Sequence, residues 1–305
     1  MKPDTENPPL LFAFRELPLQ QPLCARLGAR LGDVDSRHFP DGESYVRVLS
    51  DVAGQHCILL ADLSHPDDRY LPLIFLAETL RDLGGASVGL VAPYLCYMRQ
   101  DARFQTGEAL TSKIFARSLS AHIDWLVTVD PHLHRFRSMD QLYSVPSRVV
   151  QAAPALADWL DQRQHLLLVG PDAESEQWVA EIARRCGHPY VIGHKERLGD
   201  RHVRVTLPPV AQYYGRVAVI IDDVISSGHT ILKCLQALEA GGIEQVECAA
   251  VHGIFADDSD AQLVGAGLAG LVTTNTVPHA TNDIDVSSLL APAIQACLRT
   301  VQETR

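Results

Sequence analysis

Apolar runs alternate with helix-compatible stretches along the chain. The runs 10–14 (LLFAF), 56–63 (HCILLADL), 86–95 (ASVGLVAPYL) and 125–132 (WLVTVDPH) predict strands in the first half. In the second half the strand candidates are 165–172 (HLLLVGPD), 190–196 (YVIGHKE), 201–207 (RHVRVTL), 217–225 (VAVIIDDVI), 246–255 (VECAAVHGIF) and 271–277 (LVTTNTV). Helix-like patterns lie between many of them, at 17–32, 69–83, 109–121, 150–163, 175–187, 229–240 and 285–303. Continuous apolar runs mark strands buried on both faces, so the expected class is α/β with mainly parallel sheets flanked by helices. The series runs twice. It predicts tandem domains at 1–147 and 148–305, with the helix 285–303 a candidate to pack back onto the first. In each half, strands end in acids or His, and open α/β sheets take ligands at those ends.

Composition narrows the class. The 305 residues exceed one typical core, and 47% hydrophobic with 21% charged is ordinary for a globular chain. A net charge of −11, from 26 Lys and Arg against 37 Asp and Glu, argues against general nucleic-acid binding. It does not exclude phosphorylated small molecules, because a local cation or Mg²⁺ offsets the field. Seven cysteines are scattered without a CxxC pair, the pattern of reduced, buried thiols in a cytosolic protein. The polar, Pro-rich start does not read as a signal peptide, and no apolar run reaches the ~20 residues of a membrane helix. A cytoplasmic protein without a membrane partner is expected.

The segment 217–231, VAVIIDDVISSGHTI, carries the clearest chemistry. An apolar strand runs into Asp222 and Asp223, then into Ser226, Ser227, Gly228, His229 and Thr230, and then into a helix. Helix N-termini present unpaired N–H groups and a positive dipole end, and small hydroxyl residues with Gly let the backbone close around a phosphate. The acids are not phosphate ligands; they suit sugar hydroxyls or Mg²⁺ beside the phosphate. The alternative is an ordinary βα turn whose Ser or Thr caps the helix. The stretch GAGLAG (265–270) spells a dinucleotide fingerprint, but it follows a helical pattern and precedes a strand, so it reads as a helix end with a tight turn. No Walker loop occurs.

The motif VIIDDVISSGHT resembles the phosphoribosyl pyrophosphate signature shared by type I phosphoribosyltransferases and ribose-phosphate pyrophosphokinases. Further segments choose the second family. FPDGE (39–43) resembles its Phe-x-Asp-Gly-Glu motif, and the segment 93–120 resembles its Pro-Tyr…Arg-Gln-Asp stretch with the helix after it. VTVDPHLHRF (127–136), VGPDAESEQWVA (169–180), TNTVPH (274–279) and DVSSLLAPAI (285–294) are similar to its remaining segments, in order across nearly the whole chain. FQTGEAL (104–110) looks closer to the archaeal-type members than to the common bacterial type.

The resemblance implies two tandem phosphoribosyltransferase-like domains, ATP and ribose 5-phosphate as partners, Mg²⁺ as cofactor, and a homo-oligomer, dimer or hexamer. The implied ATP residues are Phe39, Asp41, Glu43, Arg99, Gln100 and Asp101, with a flag-like hairpin near 39–49 serving a neighbouring subunit. Arg99, Gln100 and Asp101 offer a cation for phosphates and groups for a purine edge, while Phe39 offers a flat face. Their plainer readings are a solvated ion pair for Arg99 and a surface hairpin staple for Phe39. The implied metal residues are His132, with His134 nearby, and Asp172; a structural His is the alternative. Lys195 and Arg197 match the family's mobile catalytic loop, where two cations stabilise spread charge; on pattern alone they are a solubilising charged hairpin.

Five positions depart from the family pattern. Glu174 and Ser175 stand where Gly-Gly is common, His229 replaces a Gly, Ser226 stands for an Asp, and Ala102 stands where a cation is common. These bear on control and substrate preference. A catalytically weak regulatory homologue and a type I phosphoribosyltransferase remain the competing expectations.

Overall fold

The computed structural model describes residues 8–103, 105–133, 135–197 and 203–303, and for 195–197 and 203 the backbone alone. Contacts divide the chain into two units, Met1–Gln151 with Val286–Arg305, and Ala152–Asp285. The first unit runs β1 (Leu10–Phe12), α1 (Gln20–Leu27), β2 (Arg30–Leu31), β3 (Val34–His38), β4 (Ser44–Val48), β5 (His56–Leu60), α2 (Pro66–Asp82), β6 (Ser87–Val91), α3 (Thr111–Ser120), β7 (Trp125–Val129) and β8 (Ser147–Val150). The second runs α4 (Ala153–Asp161), β9 (Leu166–Gly170), α5 (Glu176–Cys186), β10 (Tyr190–Ile192), β11 (His194–Arg197), β12 (Val203–Thr206), β13 (Val217–Ile225), α6 (His229–Ala240), β14 (Val246–Gly253), α7 (Ser259–Gly265), β15 (Gly270–Thr274) and β16 (Asn282–Ile284). The closing helix α8 (Ser287–Glu303) returns to the first unit, where it packs on α1, β7 and β8.

Each unit is built on a six-stranded parallel sheet, ordered β2-β1-β5-β6-β7-β8 in the first and β10-β9-β13-β14-β15-β16 in the second. The two orders correspond strand for strand. In each, an antiparallel hairpin, β3–β4 or β11–β12, intervenes in the chain between the second and third sheet strands. One topology is used twice. In each sheet the winding reverses after the second strand, which leaves a crevice at the C-terminal ends of β1 and β5, and of β9 and β13.

The apolar runs explain the cores. Every residue of β6, β7 and β9 is buried, as expected of strands covered on both faces. Helix α2 buries Leu73, Ile74, Leu76, Ala77 and Leu80, and α6 buries Ile231, Cys234, Leu235 and Leu238, both at helical spacing. Trp125 is wholly buried against Gly89 of the neighbouring strand, where an added Cβ would lie 1.8 Å from the indole Cε2. Only glycine leaves room for that ring.

Several elements differ from expectation. The stretch 17–32 is not one helix: Gly28, at φ +64°, caps α1 with its N–H on the Cys24 carbonyl, and the chain then enters β2. β3 and β4 flank the turn of the hairpin expected near 39–49, and they were absent from the apolar-run strands because β3 is mostly exposed and β4 mostly half-buried. β8 occupies the start of the expected helix 150–163, which begins instead at Ala153, with Pro in its first turn. The run 190–196 breaks at Gly193 into β10 and β11. GAGLAG is a helix end, as expected: α7 stops at Gly265, Gly267 takes φ +106°, and β15 starts at Gly270.

Candidate active site

In the second unit the strand-end loops meet at the crevice. β13 continues through Asp222 and Asp223 to Ile225, longer than the apolar run, because β14 pairs alongside it as far as Ile225↔Gly253. Asp222 Oδ1 accepts the Asp223 N–H at 3.0 Å. The loop then turns at Gly228 (φ +70°) into α6, whose first residue is His229. A Cβ at Gly228 would lie 3.3 Å from Leu263 and Ser259, so both conformation and space call for glycine.

This loop is braced from behind. The Ser226 carbonyl accepts the buried Ser259 hydroxyl at 2.7 Å and the Ala256 N–H at 3.0 Å. The Ile225 carbonyl accepts the Ile254 N–H at 2.9 Å. Ser227 is exposed, and its hydroxyl lies 2.8 Å from Nδ1 of the exposed His229. The first N–H groups of α6 have no partner within the helix and face the turn that Ser226, Ser227 and Gly228 make. The arrangement is therefore an anion-receptive turn with two acids ahead of it.

Asp172 follows β9 across the same crevice. Its Oδ1 accepts the N–H groups of Glu174 and Ser175, at 3.1 and 3.2 Å, so it caps the turn leading into α5. Ser175 Oγ donates to the Asp172 carbonyl at 2.6 Å. Glu174 is exposed on this turn. Lys195 and Arg197 lie on β11, opposite Val205 and Val203 of β12, while 198–202 and the side chains of Lys195 and Arg197 lie outside the described residues.

In the first unit the predicted residues follow adjacent strands. Beyond β6, Arg99 is exposed and Gln100 half-buried, its Oε1 accepting the Thr111 hydroxyl at 3.2 Å. Asp101 turns inward: its side chain is 1% exposed and pairs with Arg135. The expected nucleotide residue Asp101 is thus engaged in an internal ion pair. Beyond β7 comes half-buried His132; His134 and Phe104 lie outside the described residues. Phe39–Glu43 forms the turn of the β3–β4 hairpin, closed by the Phe39 N–H on the Glu43 carbonyl at 2.8 Å. Asp41 Oδ1 accepts the Glu43 N–H at 3.2 Å. Phe39 is 40% exposed, with the Arg37 guanidinium 4.7 Å from its ring centroid and 4.5 Å from that of Tyr45. Phe39 belongs to a small cation-aromatic stack on the hairpin, a surface contact within the hairpin itself.

Residues 11–122 match the N-terminal domain of ribose phosphate pyrophosphokinase, and residues 138–264 match the phosphoribosyl transferase domain. Ribose-phosphate pyrophosphokinase from Methanopyrus kandleri is 31% identical over 90% of this chain and 94% of its own length. That from Saccharolobus solfataricus is 33% identical over 90% and 95%. The chain belongs to the ribose-phosphate pyrophosphokinase family. Both of these relatives are archaeal, in keeping with the resemblance of 104–110. The solved phosphoribosylpyrophosphate synthetase of Mycobacterium smegmatis shares the fold, with a TM-score of 0.82, 24% identity, and coverage of 96% of this chain and 99% of that one. Membership makes the chain a transferase.

Other features of this pyrophosphokinase-family chain escaped sequence reasoning. At the β1–β5 crevice the buried Asp62 is ion-paired with both Arg15 and Arg69. Burial alone would raise its carboxyl, but hydrogen bonds from Ser64 and the charges of Arg69 and Arg15 outweigh that and hold it below its ordinary 3.8. Nothing in the spacing of 15, 62 and 69 announces the cluster. Among the described residues, six non-glycines take positive φ. Five of them, Tyr97, Asp130, Phe255, Asp257 and Asp258, follow the C-terminal ends of β6, β7 and β14. Backbone strain of about 1–3 kcal/mol per residue thus collects on the ligand edge of both sheets.

The seven cysteines are free and buried, as expected. Burial pushes Cys57 up to about 12; burial, with the charges of Asp222 and Asp172, does the same for Cys234. No helix among the described residues is long and apolar enough to cross a membrane. Nor do three or more metal-ligating side chains gather among them. Mg²⁺ asks for no such cage, since one or two carboxylates with waters and phosphate oxygens satisfy it. The oxygen donors Asp172, Asp222 and Asp223 at the second crevice fit that chemistry.

Proposed function

We propose that the chain is a ribose-phosphate diphosphokinase. It transfers the β,γ-diphosphoryl group of ATP to the 1-hydroxyl of ribose 5-phosphate, giving phosphoribosyl pyrophosphate and AMP for nucleotide biosynthesis. The observation that carries this reading is the acid-tipped β13 and its hydroxyl-lined turn into α6, set at the crevice beside the Asp172 turn. In the reaction the 1-hydroxyl oxygen bonds the β-phosphorus as the bond from that phosphorus to the bridging oxygen breaks. The bridging oxygen leaves with AMP, and the hydroxyl proton is lost to solvent.

Each residue has a role in this reading. The N–H groups opening α6, with the hydroxyls of Ser226, Ser227 and Thr230, take the 5-phosphate; Gly228 admits it close to the backbone, and His229 holds Ser227. Asp222 and Asp223 accept from the ribose hydroxyls. Arg99 and Gln100 take the nucleotide, Phe39 offers a face to adenine, and Asp41 and Glu43 are acceptors for its amino group or ribose. Lys195 and Arg197 offset the charge that spreads over the transferring group. Asp172 would hold Mg²⁺ together with waters and phosphate oxygens, where it would neutralise phosphate charge, and His132 is the first unit's own candidate metal residue. A homo-oligomer in which the hairpin serves a neighbour, and a cytoplasmic location, belong to the same proposal.

The test is incubation of the purified chain with ATP, Mg²⁺ and ribose 5-phosphate, reading AMP. The expected result is AMP that requires all three components and stops on chelation. Nucleotide binding without turnover would favour a regulatory homologue. Pyrophosphate release from phosphoribosyl pyrophosphate and a base would favour a phosphoribosyltransferase.

A further inference from the structure

The side chain of Asp101 is 1% exposed although it is ionisable. One oxygen, Oδ1, lies 2.5 Å from Arg135 Nη1, and the other, Oδ2, is buried with no hydrogen-bond donor among the described residues. Such a group is a poor stabiliser. A buried ion pair is often no better than an apolar pair of the same volume, and an unsatisfied carboxylate oxygen adds a desolvation cost. Its position suggests another use. Asp101 follows Arg99 and Gln100 beyond β6, and Arg135 follows His132 beyond the adjacent strand β7. The pair joins two strand-end segments separated by 34 residues of chain.

Both segments leave their strands through strained turns, Tyr97 at φ +60° and Asp130 at φ +35°. Neither turn has the free choice of conformation that glycine would give, so a tie is needed to hold the segments in one arrangement. Gln100 is anchored on the other side, through Thr111 and through its carbonyl, which accepts the Ser112 N–H at 3.4 Å. Arg135 is half-exposed at 52%, so its guanidinium reaches from the surface to the buried carboxylate.

We propose that Asp101 and Arg135 form a positioning pair that holds Arg99 and Gln100 for the nucleotide. Asp101 contacts Arg135 and not the substrate. The proposal rests on the diphosphokinase reading and gives that site's nucleotide affinity a structural origin.

The test is a double-mutant cycle in the full chain with Asp101→Asn, Arg135→Met and the two combined, measuring kcat and both KM values for AMP formation, with thermal unfolding alongside. Each single change is expected to raise KM for ATP about tenfold, leaving KM for ribose 5-phosphate within about twofold. The double change should be no worse than the worse single one, because both remove the same tie. Effects that multiply in the double mutant would mean independent roles and overturn the pair, as would unchanged KM for ATP. Equal loss toward both substrates, tracking a fall in unfolding temperature, would also overturn it. Should Asp101→Asn not fold, Arg135→Lys, altered on the exposed side, keeps the test open: about a threefold rise in KM for ATP supports the tie, and a wild-type value refutes it. Wild-type AMP formation and a raised KM for ATP in Arg99→Ala are measured first. Their failure would remove the diphosphokinase reading itself, whereas their success with a silent Asp101→Asn removes only the pair.

Discussion

His229 Nδ1 lies 2.8 Å from Ser227 Oγ, so the first residue of α6 holds the hydroxyl of the loop that precedes it. The imidazole stands where the family pattern has glycine, yet it leans along the turn toward Ser227. Replacing His229 by Ala frees that hydroxyl. A single hydrogen bond is worth about 1 kcal/mol, so KM for ribose 5-phosphate should rise about three- to tenfold with kcat little changed. Steady-state AMP kinetics decide it; a lower KM would show that the ring crowds the loop.

Lys195 stands on β11 of the second unit's hairpin. If its charge acts on the transferring group, Lys195→Ala should lower kcat by about a hundredfold or more while KM for ribose 5-phosphate moves little. Comparable losses in both constants would contradict the role.

Asp62 provides a stability test with a defined sign. Its folded carboxyl titrates below the ordinary 3.8, so its contribution is full above that value and disappears as pH falls through the depressed one. At neutral pH, Asp62→Ala should cost about 2 kcal/mol, less than a wholly buried pair because Arg15 and Arg69 keep some contact with water. Urea unfolding of both proteins measures the difference, which should narrow in acid below 3.8 and stay constant between neutral and mildly acidic pH.

Gly89 tests the packing beneath the ligand edge. Its substitution by Ala would drive a methyl into the Trp125 indole, whose ring sits where that carbon must go. A loss of about 3 kcal/mol or more is expected, since the core offers no room. The combined Gly89→Ala, Trp125→Leu change should recover soluble yield and part of the urea midpoint; no recovery would place the cost elsewhere.

The sheets were legible because strands such as SVGLV and WLVTV are mostly apolar and carry no charge, a pattern that a surface element does not sustain. The Asp222–Thr230 loop was legible for a related reason: two acids after an apolar run contradict ordinary burial. The ion pair of Asp101 was not legible because a motif records which residue follows which, not which way a carboxylate turns; Arg135, distant in sequence, is its partner. The Arg15, Asp62 and Arg69 cluster was illegible because its members come from three separate segments joined by the fold of the sheet. The short strands β8 and β16 were missed because each has too few apolar residues to outweigh the helix or turn patterns beside it.

Helix α8 completes the first unit from the far end of the sequence. Arg26 Nε donates to Ser287 Oγ at 2.9 Å, and Leu290, Ile294 and Cys297 are buried there. During synthesis the second unit therefore leaves the ribosome whole, whereas the first must wait for the last residues to be made. A stop codon shortly before Ser287 would spare the second unit's sheet and leave the older half of the nascent chain with its α1 face uncovered, so a premature terminus would harm the half translated first.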